Sequence, residues 1–372
     1  MIYLDNAATT PLTESVMAEM TETMALQLAN PSSIHTYGRQ ASQKLREYRQ
    51  VLASLLKTTP NHIIFTSGGT ESNNTAIKGF ALANQHLGRH IITSAIEHHS
   101  VLHPLRYLEE RFGFEVTYLE PIDGHIRPKD VAAALREDTI LVSLMYANNE
   151  TGDLLPIADI GELLKSHPAA FHVDAVQVAG KIPLEPETIG IDFMSLSAHK
   201  FHGPKGVGVL YNRHKHFDPL LHGGDQENKH RASTENLIGI AGMTKALSDS
   251  YLQMSDNWAK INTLKQTFLD ALSGLDYYLN TNDDALPHVV NIGFPGANNG
   301  VLLTQLDLQG YAVSTGSACT AGTVEPSHVL AAKYGSDSQR LRESIRISFS
   351  ENNTEDEVIG LAQLLKSLLG EH

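Results

Sequence analysis

A short apolar run followed by a glycine turn, Ile63-Ile64-Phe65-Thr66-Ser67-Gly68-Gly69-Thr70-Glu71-Ser72-Asn73-Asn74, introduces the main pattern of this chain. The apolar run predicts a strand, and helical periodicity follows through Thr75–Leu82. The same alternation continues with strands predicted at 91–94, 115–119, 140–144 and 171–173 and helices at 101–112, 128–135 and 157–164. Alternating strands and helices predict an α/β fold, with a parallel sheet covered by helices on both faces.

The pattern changes after about residue 250. A long helix over 258–272 is followed by short strands at 289–292 and 345–348, and a last helix runs over 354–369. Thr354 with Glu357 fits a capping box at the start of that helix. We therefore expect a large domain over 15–251 and a smaller α+β domain formed by 1–14 and 252–372.

Composition narrows the class of protein. The 372 residues carry a formal charge of −14, which disfavours direct nucleic-acid binding because such binding depends on clustered Lys and Arg. No stretch approaches the roughly 18 apolar residues of a membrane span, and the first residues show no secretory signal. A single cysteine forms no internal disulfide and suits a reducing compartment. These observations predict a cytoplasmic protein that binds neither membrane nor nucleic acid.

The glycine turn between strand and helix is a candidate anion site, because backbone N–H groups at such a turn bind phosphate. It lacks the spacing of a dinucleotide fingerprint or a Walker loop, and similar turns occur as ordinary connections. The later Gly203–Gly208 segment is more typical of a tight turn into a strand.

Two polar residues at strand ends point to chemistry. Asp174 directly follows a strand expected to be buried, so its carboxylate needs a cationic partner. A protonated pyridine nitrogen and a salt bridge with Lys or Arg both satisfy that need. Lys200 ends the apolar run Met194–Lys200, where partial desolvation lowers the pKa of an amine and makes it nucleophilic in Schiff-base chemistry.

Cys319 is the only cysteine and lies in Ser314-Thr315-Gly316-Ser317-Ala318-Cys319-Thr320-Ala321-Gly322. Small and hydroxyl-bearing neighbours indicate a mobile, solvent-reachable loop, whereas structural cysteines occur more often in apolar elements. The local sequence alone leaves both a reactive and a structural role open.

Together, these motifs resemble the cysteine desulfurases, which are pyridoxal-phosphate enzymes of the class V aminotransferase group. The resemblance covers nearly the whole chain. It is carried by Tyr3–Pro11, Asn30–Ser33, the Gly-Gly-Thr-Glu-Ser-Asn-Asn turn, Asp-x-x-Gln at 174–177, Ser-x-His-Lys at 197–200, Gly-Ser-Ala-Cys at 316–319, and Arg346. It implies a fold type I pyridoxal-phosphate-dependent transferase, whose large domain holds a mostly parallel sheet between helices.

The resemblance also implies roles in binding pyridoxal 5'-phosphate. Lys200 would hold the cofactor covalently and move protons, Asp174 would pair with the pyridine nitrogen, and His98 would stack on the ring. The remaining cofactor contacts would come from Asn149 and Gln177 at the ring hydroxyl or substrate, and from Gly69, Thr70, Ser197 and His199 at the phosphate. Thr234 would reach the phosphate of the opposite subunit, which implies a homodimer.

The implied reaction removes sulfur from L-cysteine and releases L-alanine. Arg346, with help from Asn30, would hold the substrate carboxylate. The Cys319 thiolate would attack the substrate sulfur and carry it as a persulfide. A protein acceptor, an iron–sulfur scaffold or a thiolation enzyme for tRNA or a cofactor, would then receive the sulfur.

Some features leave alternatives open. Asp225–His230 replaces a glycine- and arginine-rich run of the family, and Ser233 stands where glycine is common, so altered loop or dimer-edge detail is expected. Thr320-Ala321-Gly322 resembles the long-loop subgroup, which disfavours a preference for selenocysteine. A selenocysteine lyase, another class V aminotransferase and a non-enzymatic sulfur carrier remain as alternatives.

Histidine content raises the question of a metal site. His99 with His103, and His214 with His216, have chelating spacings, but neither pair has an adjacent acidic or thiol ligand in a zinc pattern. The prediction is therefore surface histidines and no bound metal.

Overall fold

The computed structural model describes residues 1–26, 29–316, 319–320, 323–324 and 326–370. Within these ranges the strands are β1 (Ile2–Tyr3), β2 (Ile63–Thr66), β3 (His90–Ser94), β4 (Glu115–Leu119), β5 (Thr139–Met145), β6 (Ala170–Asp174), β7 (Phe193–Ser197), β8 (Gly208–Asn212), β9 (Tyr278–Leu279), β10 (Val289–Gly293), β11 (Tyr311–Ala312), β12 (Cys319–Thr320), β13 (Thr323–Val324) and β14 (Ser344–Ser348).

The helices cover most of the remaining described chain. They are α1 (Glu14–Ala25), α2 (Thr36–Leu55), α3 (Gly69–Asn74), α4 (Phe80–Asn84), α5 (His99–Phe112), α6 (Pro128–Ala134), α7 (Ile157–Leu164), α8 (Pro186–Ile189), α9 (Leu237–Leu252), α10 (Met254–Ala271), α11 (Asn299–Leu308), α12 (His328–Tyr334), α13 (Arg340–Glu343) and α14 (Glu355–Leu369). A π-helical turn over Thr75–Gly79 joins α3 to α4. No helix in the described part of the chain is long and apolar enough to cross a membrane.

A seven-stranded sheet in the order β2-β8-β7-β6-β5-β3-β4 forms the centre of the molecule. Strand β8 is antiparallel to β2 and to β7, and the other neighbouring pairs are parallel. Six strands therefore point the same way, and the turns that follow β2, β3, β5, β6 and β7 meet at one edge. Ligands of open α/β sheets bind at this edge.

The sheet is buried on both faces, which explains its nearly continuous apolar strands. Ile92, Val142 and Phe171 belong to one buried cluster, whereas their sequence neighbours Ile91, Leu141 and Ala170 belong to another. Successive strand residues point to opposite faces. Each fully buried large aliphatic or aromatic side chain contributes about 1.5–3 kcal/mol, so the sheet is a rigid platform for the groups at its edge.

A third buried cluster includes Leu4, Phe268, Val290, Ile345 and Leu361 and surrounds the small sheet β14-β10-β9. Its residues come from both ends of the chain, because β1 pairs with β11. The clusters accord with two units of structure, although the domain limits of 15–251, 1–14 and 252–372 stay a prediction.

Several elements lie where the sequence predicts them, including β2, β4 and α7. The capping box is present, since Thr354 Oγ1 accepts from the Glu357 amide at 3.3 Å and Glu357 Oε2 accepts from the Thr354 amide at 3.1 Å. The helix expected from Thr75 begins earlier, at Gly69, because Gly68 with a φ of 142° turns the chain straight into it. The turn at Gly203–Gly208 leads into β8, as predicted.

Candidate active site

The turns at the carboxyl edge of the main sheet enclose a cleft of about 740 Å³. Most of the residues singled out from the sequence line it: Gly69, Thr70, His98, Asn149, Asp174, Gln177, Ser197, His199, Lys200 and Arg346. They come from separate turns, so the folded sheet brings them together. Their individual roles remain predictions.

The glycine turn forms one wall of the cleft. A Cβ on Gly69 would lie 2.8 Å from Val176 Cγ2, closer than a side chain tolerates, so only glycine lets the two turns approach this closely. Arg231 Nε donates to Glu71 Oε1 at 2.8 Å, and the Ser67 amide donates to Glu71 Oε2 at 2.7 Å. The Glu71 contacts thus hold the turn in place, and its backbone lines the cleft.

Asp174 is buried and accepts hydrogen bonds from neutral groups. Asn73 Nδ2 donates to its Oδ2 at 2.7 Å, and the Val176 amide donates to its Oδ1 at 3.0 Å. No lysine or arginine of the described chain forms an ion pair with it. Of the two partners that the sequence left open, a protein salt bridge is therefore not found, and the carboxylate faces the cleft where a ligand cation fits.

Lys200 ends a 3₁₀ turn, Ala198–Lys200, that directly follows β7. Its Nζ donates to the carbonyl oxygens of Ala7 at 2.6 Å and Ala8 at 2.8 Å. Burial, together with the nearby cations of Arg346 and Lys181, lowers the pKa of this amine to about 7. A large fraction of Lys200 is therefore neutral near pH 7, as a nucleophilic amine requires.

Two histidines of the cleft are held neutral. His98 is the N-cap of α5, where its Nδ1 accepts from the Ser100 amide at 3.1 Å, and burial is the main cause that lowers its pKa. Burial and the Lys200 charge lower the pKa of His199 to about 4. A neutral imidazole can stack on an aromatic ring or exchange a proton without adding charge to the site.

Arg346 brings a buried guanidinium to the opposite wall of the cleft. Its Nη1 donates to the Asn149 carbonyl at 2.8 Å, and its Nη2 contacts Asp5 Oδ1 at 2.7 Å. Its Nε is buried and has no hydrogen-bond partner among the described residues. A planar fork with spare donors suits a bidentate carboxylate ligand.

Two predicted residues do not line this cleft within the described chain. Asn30 is exposed, and its Oδ1 accepts from the Ser32 amide at 2.9 Å. Thr234 is also exposed and follows Ser233, whose φ of 90° is uncommon for a residue other than glycine. Both assignments stay predictions.

The departure at Asp225–His230 has a local structural effect. Glu227, Asn228 and Lys229 all have positive φ, a backbone conformation that favours glycine. Glu227 is buried and forms a two-bond ion pair with Arg49, at 2.7 Å and 2.6 Å. This pair holds the segment in its unusual backbone conformation.

The backbone of Cys319 lies in β12, where it pairs with Val324 of β13. The described residues do not include Ser317, Ala318, Ala321 and Gly322. The predicted mobility of this loop therefore stays a prediction. Gly316 before the segment and His328 after it both line the cleft, so the chain carrying the cysteine leaves and returns beside the site.

Several groups at the site were missed by sequence reasoning. Asn73 bridges Asp174 and Ser100, with its Nδ2 donating to Ser100 Oγ at 2.9 Å. Asn73 lay within the quoted glycine motif, but nothing in that motif showed that its amide would reach Asp174. The partners of Lys200 are backbone carbonyls, which have no sequence signal at all.

The histidines show no metal centre within the described residues. His99 Nδ1 lies 3.0 Å from His103 Nε2. His214 Nε2 lies 2.7 Å from His62 Nε2.

Comparison with known proteins places the chain in a family. The family model described as aminotransferase class-V matches residues 2–361. A putative cysteine desulfurase IscS 1 of Bacillus subtilis is 48% identical over 96% of this chain and 95% of its own length. A cysteine desulfurase IscS of Methanosarcina thermophila is 42% identical over 99% of this chain and 92% of its own.

Solved structures agree with these relatives. A NifS-like protein is 35% identical, with a TM-score of 0.93 and 99% of each chain covered. SspA in complex with cysteine is also 35% identical, with a TM-score of 0.84, over 95% of this chain and all of its own.

This chain belongs to the class-V aminotransferase family, and its relatives within that family are cysteine desulfurases. The predicted α/β fold type I architecture and the dependence on pyridoxal phosphate are confirmed, and so is the assignment as a cysteine desulfurase.

The cleft of this chain fits pyridoxal phosphate. It offers the close glycine approach at Gly69, an acid at Asp174 without a protein cation, and a buried Gln177 Oε1 without a hydrogen-bond partner among the described residues.

Proposed function

We propose that the protein removes sulfur from L-cysteine, releases L-alanine and carries the sulfur as a persulfide on Cys319. The observation that carries this proposal is the meeting of Lys200, Asp174 and Arg346 in one cleft, beside the segment that bears the only cysteine. An amine, a ring partner and a carboxylate ligand are the groups that amino-acid chemistry on pyridoxal phosphate needs.

Pyridoxal phosphate, when bound, supplies an electron sink for the negative charge that develops at the substrate α-carbon. Lys200 would hold the cofactor covalently, and Gly69, Thr70, Ser197 and His199 would bind its phosphate. Asp174 would pair with the ring nitrogen and keep a proton there, and its two hydrogen bonds with Asn73 and Val176 orient its carboxylate.

Lys200 is also the group that would remove the α-proton and return it. With a pKa of about 7, its amine both accepts and releases a proton near neutral pH, which is the condition for efficient acid–base catalysis. His98 would cover the ring face as a neutral imidazole and assist proton transfer.

Arg346 would bind the substrate carboxylate. The pairing of its Nη2 with the Asp5 carboxylate supports this role, because the guanidinium already holds one carboxylate at this wall of the cleft. The substrate would then be oriented with its carboxylate at Arg346 and its amine toward Lys200. Asn30 would assist from the exposed segment.

Cys319 would act as a thiolate on the substrate sulfur. A new S–S bond forms while the Cβ–S bond of the substrate breaks, and the electron pair of that bond stays on the three-carbon fragment. Protonation of this fragment gives alanine. The sulfur then leaves with a protein acceptor, either an iron–sulfur scaffold or a thiolation enzyme.

The proposal includes a homodimer in the cytoplasm. Thr234 is exposed and lines no part of its own cleft among the described residues, in keeping with a residue that serves the opposite subunit. The lone free thiol suits a reducing compartment.

Mass spectrometry of the cofactor-loaded protein after L-cysteine, without reductant, tests the proposal. The Cys319 peptide should gain one sulfur as alanine appears, and Cys319→Ser should gain none. A selenocysteine lyase or aminotransferase would leave Cys319 unmodified despite bound cofactor. Sulfur on Cys319 of a Lys200→Ala variant treated with L-cysteine would favour the carrier alternative.

A further inference from the structure

A second, smaller cavity lies behind Lys200, on the side away from the main cleft. It measures about 40 Å³ and is lined by Lys181, Lys200, His202, Trp258, His288 and Glu351, among others. A cavity of this size accepts one or more water molecules where polar groups surround it. Lys200 lines both spaces and so separates them.

Lys181 contacts Lys200 directly from this rear side. Its Nζ donates to the Lys200 carbonyl oxygen at 2.9 Å. The contact depends on Gly180, whose φ is 74° and whose added Cβ would lie 2.8 Å from Ser250 Cβ. The turn that follows β6 therefore reaches Lys200 twice, with Asp174 near its amine and Lys181 on its backbone.

The rear cavity gives Lys181 no ion pair within the described chain. No carboxylate of the described chain forms an ion pair with Lys181, and Glu351, which lines the same cavity, is paired with His202 at 3.1 Å. His288 is 2% exposed, and neither of its ring nitrogens has a hydrogen-bond partner among the described residues. Lys181 is thus a partly buried cation whose ammonium is held on the Lys200 carbonyl and not in an ion pair, which places its charge directly behind Lys200.

We propose that Lys181 is a positioning residue for Lys200, which it holds by the backbone carbonyl while placing a second positive charge behind the reactive amine. This inference rests on the proposed role of Lys200 as the lysine that holds the cofactor. It extends that role to a residue that touches neither substrate nor cofactor.

The charges around Lys200 define the expected effect. Arg346 and Lys181 are the cations that lower its pKa, and Asp174 and Asp5 are the carboxylates that raise it. Burial lowers the pKa of Lys181 itself to about 8, with Glu351 opposing the change, so Lys181 is mostly charged at pH 7. Neutral His288 adds no opposing charge, since burial holds its pKa well below the usual value.

The test separates the hydrogen bond from the charge with three variants. Lys181→Gln keeps a donor without the charge, Lys181→Met removes both, and Lys181→Arg keeps both. The measurement is the pH dependence of the rate at which full-length protein, freed of cofactor, captures pyridoxal phosphate. Capture requires neutral Lys200, so its midpoint reports the proton affinity of this amine.

We expect the midpoint to rise by about one pH unit in Lys181→Gln and Lys181→Met, because a like charge has been removed. Lys181→Arg should retain the wild-type midpoint. At high pH the Met variant should capture cofactor about fivefold more slowly than the Gln variant, because its carbonyl contact is lost. Equal midpoints in wild type, Gln and Met would overturn the proposal, and so would an equal rise in the Arg variant.

A separate readout distinguishes this failure from failure of the proposed function. Borohydride reduction and peptide mapping of the loaded wild type should place the cofactor on Lys200. Cofactor on Lys200 with unchanged midpoints would refute only the role of Lys181, whereas cofactor on another lysine would refute the assignment of Lys200 on which both proposals rest.

Discussion

The cleft and the exposed segments around Asn30 and Thr234 supply predicted site residues in different ways. Cleft residues such as Asp174 and Lys200 follow buried strands, and their partners are fixed by the sheet. Asn30 and Thr234 lie on the surface and line no described part of the cleft. The described part of one chain thus forms the cleft, and we propose that the exposed residues act together with a second subunit.

The largest effect that would sharpen this comparison is expected at Arg346. Replacing it in Arg346→Gln should lower kcat/KM for L-cysteine about 100- to 1,000-fold, because a buried charge-assisted pair with the substrate carboxylate is lost. Steady-state kinetics measures this. Arg106→Gln, at an exposed position, is the matched control and should change kcat/KM by less than twofold. A loss under tenfold at Arg346 would remove it from substrate binding.

The next largest effect is expected on the free energy of unfolding when Lys200 is replaced. Its folded pKa of about 7 lies below its usual 10.5, so between these pH values the unfolded chain binds more protons and stability rises with pH. Without cofactor, Lys200→Met should be about 4 kcal/mol more stable than wild type near pH 7, and this gain should vanish toward pH 10.5.

Urea unfolding at several pH values measures the difference. Lys205→Met is the control, since Lys205 borders the same cleft but is exposed, and its removal should change stability by about 0.5 kcal/mol or less. If the stability gain of Lys200→Met did not depend on pH, burial would not be lowering the pKa of the Lys200 amine.

Thr234 gives the smallest effect and the sharpest test of the exposed segments. Thr234→Ala should weaken pyridoxal phosphate binding about tenfold, because one hydrogen bond to a charged phosphate is lost. Equilibrium titration measures this, and Thr263→Ala is the control at another exposed threonine.

Mixed dimers decide which subunit Thr234 serves. When a Thr234→Ala subunit pairs with a Lys200→Ala subunit, a contact between subunits leaves one site with both residues intact. That site should bind the cofactor as tightly as wild type. Weak binding throughout the mixed dimer would mean that Thr234 acts within its own chain.

The sequence predicted those parts of the fold and site that depend on local pattern. An apolar strand ending in a polar residue marked Asp174 and Lys200, and both lie in the cleft. The helix α9 was missed because it is buried against α1 and has no clear polar face. Its Gly242 lies so close to α1 that an added Cβ would be 2.7 Å from Met20 Cγ.

Other parts of the site had no local pattern to predict them. Lys181 resembles any surface lysine in the sequence, and only the turn at Gly180 brings it under Lys200. Every residue has a backbone carbonyl, so nothing in the sequence distinguishes those of Ala7 and Ala8. They bind Lys200 only because of where the N-terminal segment lies. Contacts between distant segments thus need the folded chain.

The path of that N-terminal segment determines when, during synthesis of the chain, the site around Lys200 can be completed. Asn6 bonds to the Ser348 carbonyl across 342 residues of sequence, next to the carbonyls that bind Lys200. At about 5–20 residues per second, a ribosome needs roughly 20–70 s to supply the second partner after the first has been made. The main sheet can assemble during that interval, but the binding place of the reactive lysine is completed only after Ser348 has been made.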